Sequence, residues 1–294
     1  MPHRHPWPRI SIVTPSYNQG QFIEETIRSV LLQGYPDLEY IVIDGGSKDN
    51  SVEMIEKYGP WLTYWVSESD RGQSHAINKG FRLSSGEVMA WINSDDVYAP
   101  GAFCAVATHV LDSYVRKAEW DGWMIGRCLY WNGITNEKKE TGPDLPPNDR
   151  LKILSWRCPQ RSSFWSRACW DRVGELCEDF HFVFDTEFFL RIVFSGYQPD
   201  LVPKVLAVGR IHPDCKTFAK ANCWGLETLA MYERFANFLD RTNRRQLKRA
   251  VRADLARVEY HQARTVGRWL AATLAAIRIF RFSPPWNRQK GLPI

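Results

Sequence analysis

Four polar segments stand where strands should end, and their residue types set the chemistry open to the chain: Pro15-Ser16-Tyr17-Asn18, Asp44-Gly45-Gly46-Ser47, Glu68-Ser69-Asp70-Arg71 and Asn93-Ser94-Asp95-Asp96. The last puts an amide and two carboxylates on a strand-to-loop edge. Hard oxygen donors of this kind suit Mg2+ or Mn2+, which take one or two carboxylates and leave the remaining positions to water and phosphate oxygens; paired acids can equally cap a helix. Asp44-Gly45-Gly46 offers a carboxylate beside two residues that tolerate positive φ or close approach of a ligand, or else a plain turn. Ser47, Asp49, Asn50 and Ser51 supply capping groups to the helix that follows, whose first turn then favours an anion. No GxGxxG follows the first strand, which argues against a dinucleotide-binding Rossmann domain.

The elements that carry these segments alternate in type. Runs at Ile10–Thr14, Tyr40–Ile43, Thr63–Val66 and Val88–Ile92 read as strands, and Gln21–Gln33, Ser51–Tyr58 and Gln73–Leu83 as helices between them. Short buried strands separated by helical patterns predict an α/β fold with crossover helices, in which ligands lie beyond the carboxyl ends of the strands. Residues 120–165 alternate short strands with turns at Asn132-Gly133 and Thr141–Pro147, and a helix near Asp185–Ser195 and a strand at Val202–Val208 follow.

Composition sets the outer limits. With 294 residues, 44% hydrophobic and 24% charged, the chain can build a large core, which excludes wholesale disorder and a collagen-like chain. The seven cysteines are odd in number and contain no CxxC pair, so neither a disulfide framework nor a zinc site is expected. Met1–Arg9 has no apolar signal core, and the run Trp269–Ile277 is far short of the roughly 20 residues of a membrane span. These features predict a cytoplasmic chain with reduced thiols.

In order, Thr14-Pro15-Ser16-Tyr17-Asn18, Asp44-Gly45-Gly46-Ser47-Lys48-Asp49, Asp70-Arg71-Gly72-Gln73 with Ala76-Ile77-Asn78-Lys79-Gly80, and Trp91-Ile92-Asn93-Ser94-Asp95-Asp96 resemble the family 2 glycosyltransferases of the GT-A fold. The resemblance is dense over residues 9–103 and thinner to about 217. It implies a Rossmann-like mixed sheet flanked by helices and an inverting transfer from a nucleotide-sugar, usually a UDP-sugar. Position by position it implies Thr14, Pro15 and Tyr17 lining the base pocket, Asp44 bonded to uracil, and Arg71 on the nucleotide or its phosphates. Asn93, Asp95 and Asp96 match a DxD-like site, with Asp95, Asp96 and His212 holding Mn2+ or Mg2+. Asn93 stands where many members have Asp. Asp185, in Phe184-Asp185-Thr186-Glu187, matches the catalytic base, with Asp179 and Glu187 as fallbacks and a simple helix cap as the alternative. Arg210 and Lys216 fall on the diphosphate side, and Gln160 and Trp165 on the acceptor side, where core packing suits Trp165 as well. The departures at Asn93 and at Phe184, which stands where the family usually has Glu, keep a second reading open, a non-catalytic nucleotide-sugar-binding protein or partner platform on the same fold.

The resemblance divides the chain into a catalytic domain, 1–217, with a nucleotide-binding half at 9–100 and an acceptor half at 101–217, and a helical extension, 218–294. Residues 241–294 hold 13 basic and two acidic residues, which leaves residues 1–240 at net −6. At about 100° per residue, Arg257, Arg264, Arg268 and Arg278 fall on one face and Val251, Leu255, Val258, Val266, Trp269, Ile277 and Phe280 on the other. Such a helix can pack on the domain, lie on an anionic membrane at the inner face of the plasma membrane near a lipid-linked acceptor, or bind nucleic acid. No recognition module accompanies the charge, so nucleic acid is not an expected partner. Arg268-Trp269 is similar to the Gln-x-x-Arg-Trp of processive members, but Thr265 occupies the Gln position, which implies a non-processive enzyme.

Overall fold

A computed structural model describes residues 6–249 and 252, apart from 118, 134, 143, 144, 149–152, 155, 157, 213–215 and 217–220. The chain separates into two compact units, one of residues 1–146 and 157–212 and one of 147–156 and 213–294.

In the first unit, β1 (Ile10–Ser16), β2 (Leu38–Asp44), β3 (Tyr64–Ser67) and β4 (Val88–Trp91) are linked through α1 (Ile23–Leu31), α2 (Ser51–Tyr58) and α3 (Gln73–Leu83). These strands pair in parallel, with Ser16 beside Asp44 and Asp44 beside Ser67, so three polar strand ends lie level. Parallel strands are covered on both faces, and β1 and β4 are buried along their whole length. On α1 the buried residues are Ile23, Thr26, Ile27 and Val30, the one-sided spacing that seats a helix on a sheet.

Beyond β4 the sheet becomes mixed. β5 (Val97–Tyr98), α4 (Ala102–Lys117), β6 (Trp123–Asn132), β7 (Lys138–Thr141), β8 (Ser163–Ser166), α5 (Arg167–Val173), α6 (Phe184–Phe194) and β9 (Asp200–Ile211) complete this unit. The strand order is β3-β2-β1-β4-β8-β6-β9-β5, with β7 on β6; β8 joins the two halves antiparallel to both β4 and β6. The expected α/β sheet with flanking helices is therefore present, and α4, α5 and β5 are additions to the elements read from sequence.

The second unit contains α7 (Ala221–Phe235), a 3-10 turn at Ala236–Phe238 and a helical stretch at 241–249. The amphipathic helix expected across 251–280 lies outside the described residues but for Arg252. Cys104, Cys128, Cys158, Cys169 and Cys177 are free thiols. Among the described residues no helix is long and apolar enough to cross a membrane.

Gly80 marks where α3 meets the sheet, because a Cβ there would lie 2.5 Å from Val13 Cγ1 and 2.9 Å from Cγ2. Val13 is fully buried and β-branched, so it has no room to give. Overpacking of about 1–3 kcal/mol outweighs the gain of about 1 kcal/mol from alanine's helix propensity, so Gly80→Ala should lower the urea-unfolding free energy. Gly142→Ala, with nothing within 4 Å of its Cβ, should leave it within about 0.5 kcal/mol.

Candidate functional site

At the carboxyl ends of β1 and β2, two loops are stitched together by hydrogen bonds that follow from their small polar side chains. Asn18 N–H donates to Ser47 Oγ and Lys48 N–H to Asn18 Oδ1, each at 2.8 Å. Gln19 N–H reaches Ser51 Oγ at 2.8 Å and Gly20 N–H reaches Asp49 Oδ2 at 2.9 Å. A Cβ on Gly20 would sit 1.8 Å from Oδ1 of the exposed Asn50 side chain, so the two loops approach closely here.

This stitching changes the expected base pocket. Asp44 has no solvent exposure; its carboxylate accepts from Gly46 N–H at 3.1 Å, Ser47 N–H at 2.9 Å, Ser47 Oγ at 2.5 Å and Ser67 Oγ at 2.7 Å. It braces its own loop and the end of β3, which corrects the expectation that it faces a uracil ring. Thr14 is likewise fully buried, with Oγ1 3.1 Å from Tyr40 Oη, and Pro15 is buried beside it. Tyr17, 59% exposed, is the group of this set that faces solvent. Arg71 is exposed and pairs with Glu178 at 2.6 Å. Glu178 is anchored in turn by Asn78, whose amide also bonds Leu176 through both its N–H and its carbonyl. Burial alone would raise the Glu178 carboxyl, but the bonds from Arg71 and Asn78 outweigh it and hold it below the usual range.

At the end of β4 the two acids part company. Asp95 Oδ2 lies 3.2 Å from His212 Nε2, and both side chains are mostly buried. Asp96 turns inward, fully buried, and takes Arg161 Nε at 2.5 Å and the Arg210 backbone N–H at 3.1 Å. Burial raises the Asp96 carboxyl to about 6, opposed chiefly by the charge of Arg161. Both Asp96 oxygens take donors from within the chain, while Asp95 and His212 of the expected metal set face each other. Among the described residues no group of three His, Cys, Asp or Glu is placed to hold a metal. The pair nevertheless fits one: an oxygen and a nitrogen donor 3.2 Å apart compare with an edge of about 2.9 Å in an octahedron of ligands at 2.1 Å. Such a cation would draw its other ligands from a diphosphate and water. Asn93 Oδ1 accepts from Gln73 Nε2 at 2.8 Å, which fixes the amide beside this pair.

Asp185 occupies the first turn of α6 and is partly exposed. The cap position is Val183, without a side-chain cap bond, and Asp185 Oδ1 accepts from the Thr186 N–H at 2.6 Å, one residue on. Burial pushes the half-buried Cys158 thiol up, and the charge of Asp185 adds to it. Glu187 is fully buried, with both oxygens 3.0 Å from Arg191 Nε. Arg191 also donates to the carbonyls of Val173, Gly174 and Glu175. Glu187 is thus a structural counter-ion, which removes it as a fallback base, while Asp179 is exposed.

The residues expected on the acceptor and diphosphate sides differ in burial. Trp165 has no exposure and packs edge-on against Trp91, Phe81 and Phe188, and Gln160 is buried with its Nε2 on the Trp91 carbonyl at 2.7 Å. Neither offers a surface to an acceptor. Arg210 is buried, bonded to the Asp95 carbonyl at 2.5 Å and paired with Glu25. Lys216 is an exposed residue of the second unit. Arg161, Asn78 and Glu178 were not read from the sequence. The signal for Arg161 lies in Gly209, whose missing side chain leaves the room Arg161 fills.

Residues 11–116 match the family model of Glycosyl transferase family 2. An uncharacterized glycosyltransferase of Mycobacterium tuberculosis is 30% identical over 187 residues, which is 63% of this chain and 68% of that one. Another, from Nostoc, is 35% identical over 95 residues, 31% of this chain and 30% of that one. Two solved structures share the fold. Staphylococcus aureus TarS 1-349 in complex with UDP-GlcNAc aligns with a TM-score of 0.63 at 17% identity, covering 94% of this chain and 82% of that one. The mannosyltransferase PcManGT of Pyrobaculum calidifontis, in complex with GDP-Man and Mn2+, aligns with 0.58 at 20% identity, covering 97% and 86%.

The different environments of two carboxylates on one helix can be tested by stability alone. Glu187→Ala, which strands the Arg191 guanidinium, should lower the unfolding free energy by about 3–5 kcal/mol. Asp185→Asn should leave it within about 0.5 kcal/mol, and equal losses in the two variants would contradict the assignment.

Proposed function

The chain belongs to glycosyl transferase family 2, and from that premise we propose that it moves one sugar from a nucleotide-sugar, a UDP-sugar, to a hydroxyl of a glycan or lipid-linked acceptor with inversion at the anomeric carbon. Its mixed sheet with flanking helices is the GT-A fold, and the chain is a glycosyltransferase. The observation that carries the site reading is the Asp95–His212 pair, an oxygen and a nitrogen donor facing each other at the end of β4.

Asp95 and His212 would hold Mn2+ or Mg2+. When bound, the cation offsets the negative charge that grows on the departing diphosphate. Tyr17 offers an exposed ring face to the base, and Arg71 is an exposed cation able to exchange Glu178 for a phosphate oxygen. Asp185 accepts the proton of the acceptor hydroxyl as that oxygen bonds to the anomeric carbon, and the bond from this carbon to the diphosphate oxygen breaks on the opposite face.

The second unit supports contact with an anionic membrane surface. Arg241, Arg244, Arg245, Lys248 and Arg249 are exposed on the helical stretch, and with Arg252 they fall within an arc of about 140° at 100° per residue. Leu247, on the other side, is buried. Transfer is to one acceptor at a time, in keeping with Thr265 in place of the Gln of processive members.

Incubation with a panel of nucleotide-sugars, with and without Mn2+, should reveal slow metal-dependent hydrolysis of one donor, with water standing in for the acceptor. Asp95→Ala should lower that rate at least about 100-fold, and Asp185→Asn should keep donor binding yet lower turnover by about 10²–10⁴. Undiminished hydrolysis by Asp95→Ala in excess chelator overturns the metal reading, and hydrolysis of no donor favours the binding-protein reading. In vesicle flotation, each Lys or Arg near an anionic bilayer adds about 1 kcal/mol, so the full chain should float with anionic vesicles at low salt and not with neutral ones. Arg245→Glu with Arg249→Glu should abolish flotation and leave donor hydrolysis intact.

A further inference from the structure

We infer that Arg161 is a positioning residue of the transfer site: it reaches over Gly209 of β9 to clamp the Asp96 carboxylate and so locks the turn that bears Asp95 to the strand end that bears His212. This rests on the reading of Asp95 and His212 as the groups that hold the divalent cation.

The path is continuous. Arg161 Nε meets Asp96 Oδ2 at 2.5 Å, and the other oxygen of that carboxylate takes the backbone N–H of Arg210, two residues before His212. Arg210 returns to the turn by donating its Nε to the Asp95 carbonyl at 2.5 Å. The turn and the strand end are therefore joined twice around Asp96, and the Asp95–His212 contact lies beside that joint. Helix α1 closes it from the far side: Thr26 Oγ1 donates to the carbonyls of Ser94 and Asp96 at 2.8 and 2.7 Å, and the Phe22 ring lies 4.4 Å from that of His212.

Two features mark Arg161 as fitted to this place rather than resting in it. A Cβ on Gly209 would lie 2.9 Å from Arg161 Nε and 3.1 Å from its Cδ, so β9 makes room for the side chain where it crosses. Its guanidinium also lies over the Tyr130 ring, 5.5 Å from the centroid, which fixes its plane. Such a residue touches neither donor nor acceptor and acts through Asp96. Groups one step removed from metal ligands govern ligand orientation, and their loss lowers metal affinity by about 10–100-fold.

The test is Mn2+ binding, followed as the EPR signal of the free ion in titrations of the protein alone and with UDP. Arg161→Met, which keeps the aliphatic reach over Gly209, should weaken Mn2+ binding by about 10–100-fold while UDP binding without metal is unchanged. Arg161→Lys should recover part of the loss. Gly209→Ala, which displaces the guanidinium and leaves every charge in place, should weaken Mn2+ binding in the same direction. It also carries the test if Arg161→Met does not fold. Asp95→Ala separates the two readings. Should it bind Mn2+ as the unaltered chain does, the metal site itself is wrong; should it lose Mn2+ while the Arg161 and Gly209 variants bind normally, the positioning role of Arg161 is overturned.

Discussion

A carboxylate with no access to water at the edge of a sheet has to find its partners in the chain, and Asp96 draws them from two directions while its backbone carbonyl is held from a third. Arg161 comes from the 3-10 turn before β8, the Arg210 amide from β9, and Thr26 of α1 donates to the Asp96 carbonyl. The all-parallel part of the sheet ends at β4, and the mixed part is built from β8, β6, β9 and β5. Asp96, in the turn after β4, is where the all-parallel part is tied by one side chain to the mixed part. Removing one partner of such a buried charge leaves the other uncompensated, a penalty far above that of an exposed pair such as Arg9–Asp37.

The nucleotide side is organised differently, by many weak groups and no buried ion pair. Four backbone amides of residues 18–20 and 48 are satisfied by side chains of Asn18, Ser47, Asp49 and Ser51, and Asp44 takes two more amides within its own loop. Short polar side chains do this well, because they reach backbone groups a few residues away without long, entropically expensive arms. Both loops are thereby set in shape before any ligand arrives, and Tyr17 is left standing out from a braced strand end.

The division between what was legible and what was not follows burial. The first four strands could be read because parallel strands are continuous apolar runs that end in polar loops, and the Asn93–Asp96 segment could be read because it ends one of them. Sequence does not say which of two adjacent acids points inward; that was decided by Arg161, 65 residues away, and by the absence of a side chain at Gly209. The resemblance puts Gln160 and Trp165 on an acceptor side, with core packing open for Trp165, and a tryptophan on a strand buried at every position packs. Helix α4 carries no acidic residue in its first turn and follows Gly101 at φ +72°, so the usual start signals of a helix are missing there.

The distance between the proposed base and the proposed metal site can be held only by something stiff, and the stiff element here is a layer of aromatic rings. Trp91, the last residue of β4 and four before Asp95, packs against Phe184, Phe188 and Phe189 of α6 with centroids 6.0–6.3 Å apart. Phe189 stacks in turn on Trp123 at 5.6 Å, and Trp165 lies edge-on to Phe188 at 5.2 Å. Phe184 therefore does more than replace a polar neighbour of Asp185. It turns the start of α6 onto the end of β4, so the carboxylate next to it is carried on the same packed block as the turn that bears Asp95. Gln160, bonded to the Trp91 carbonyl, ties the Arg161 turn to that block as well. Close-packed rings in fixed rotamers transmit position with little slack. The aromatic layer and the Asp96 joint are thus two halves of one support, the first setting the helix that carries Asp95's counterpart, Asp185, and the second setting Asp95 against His212.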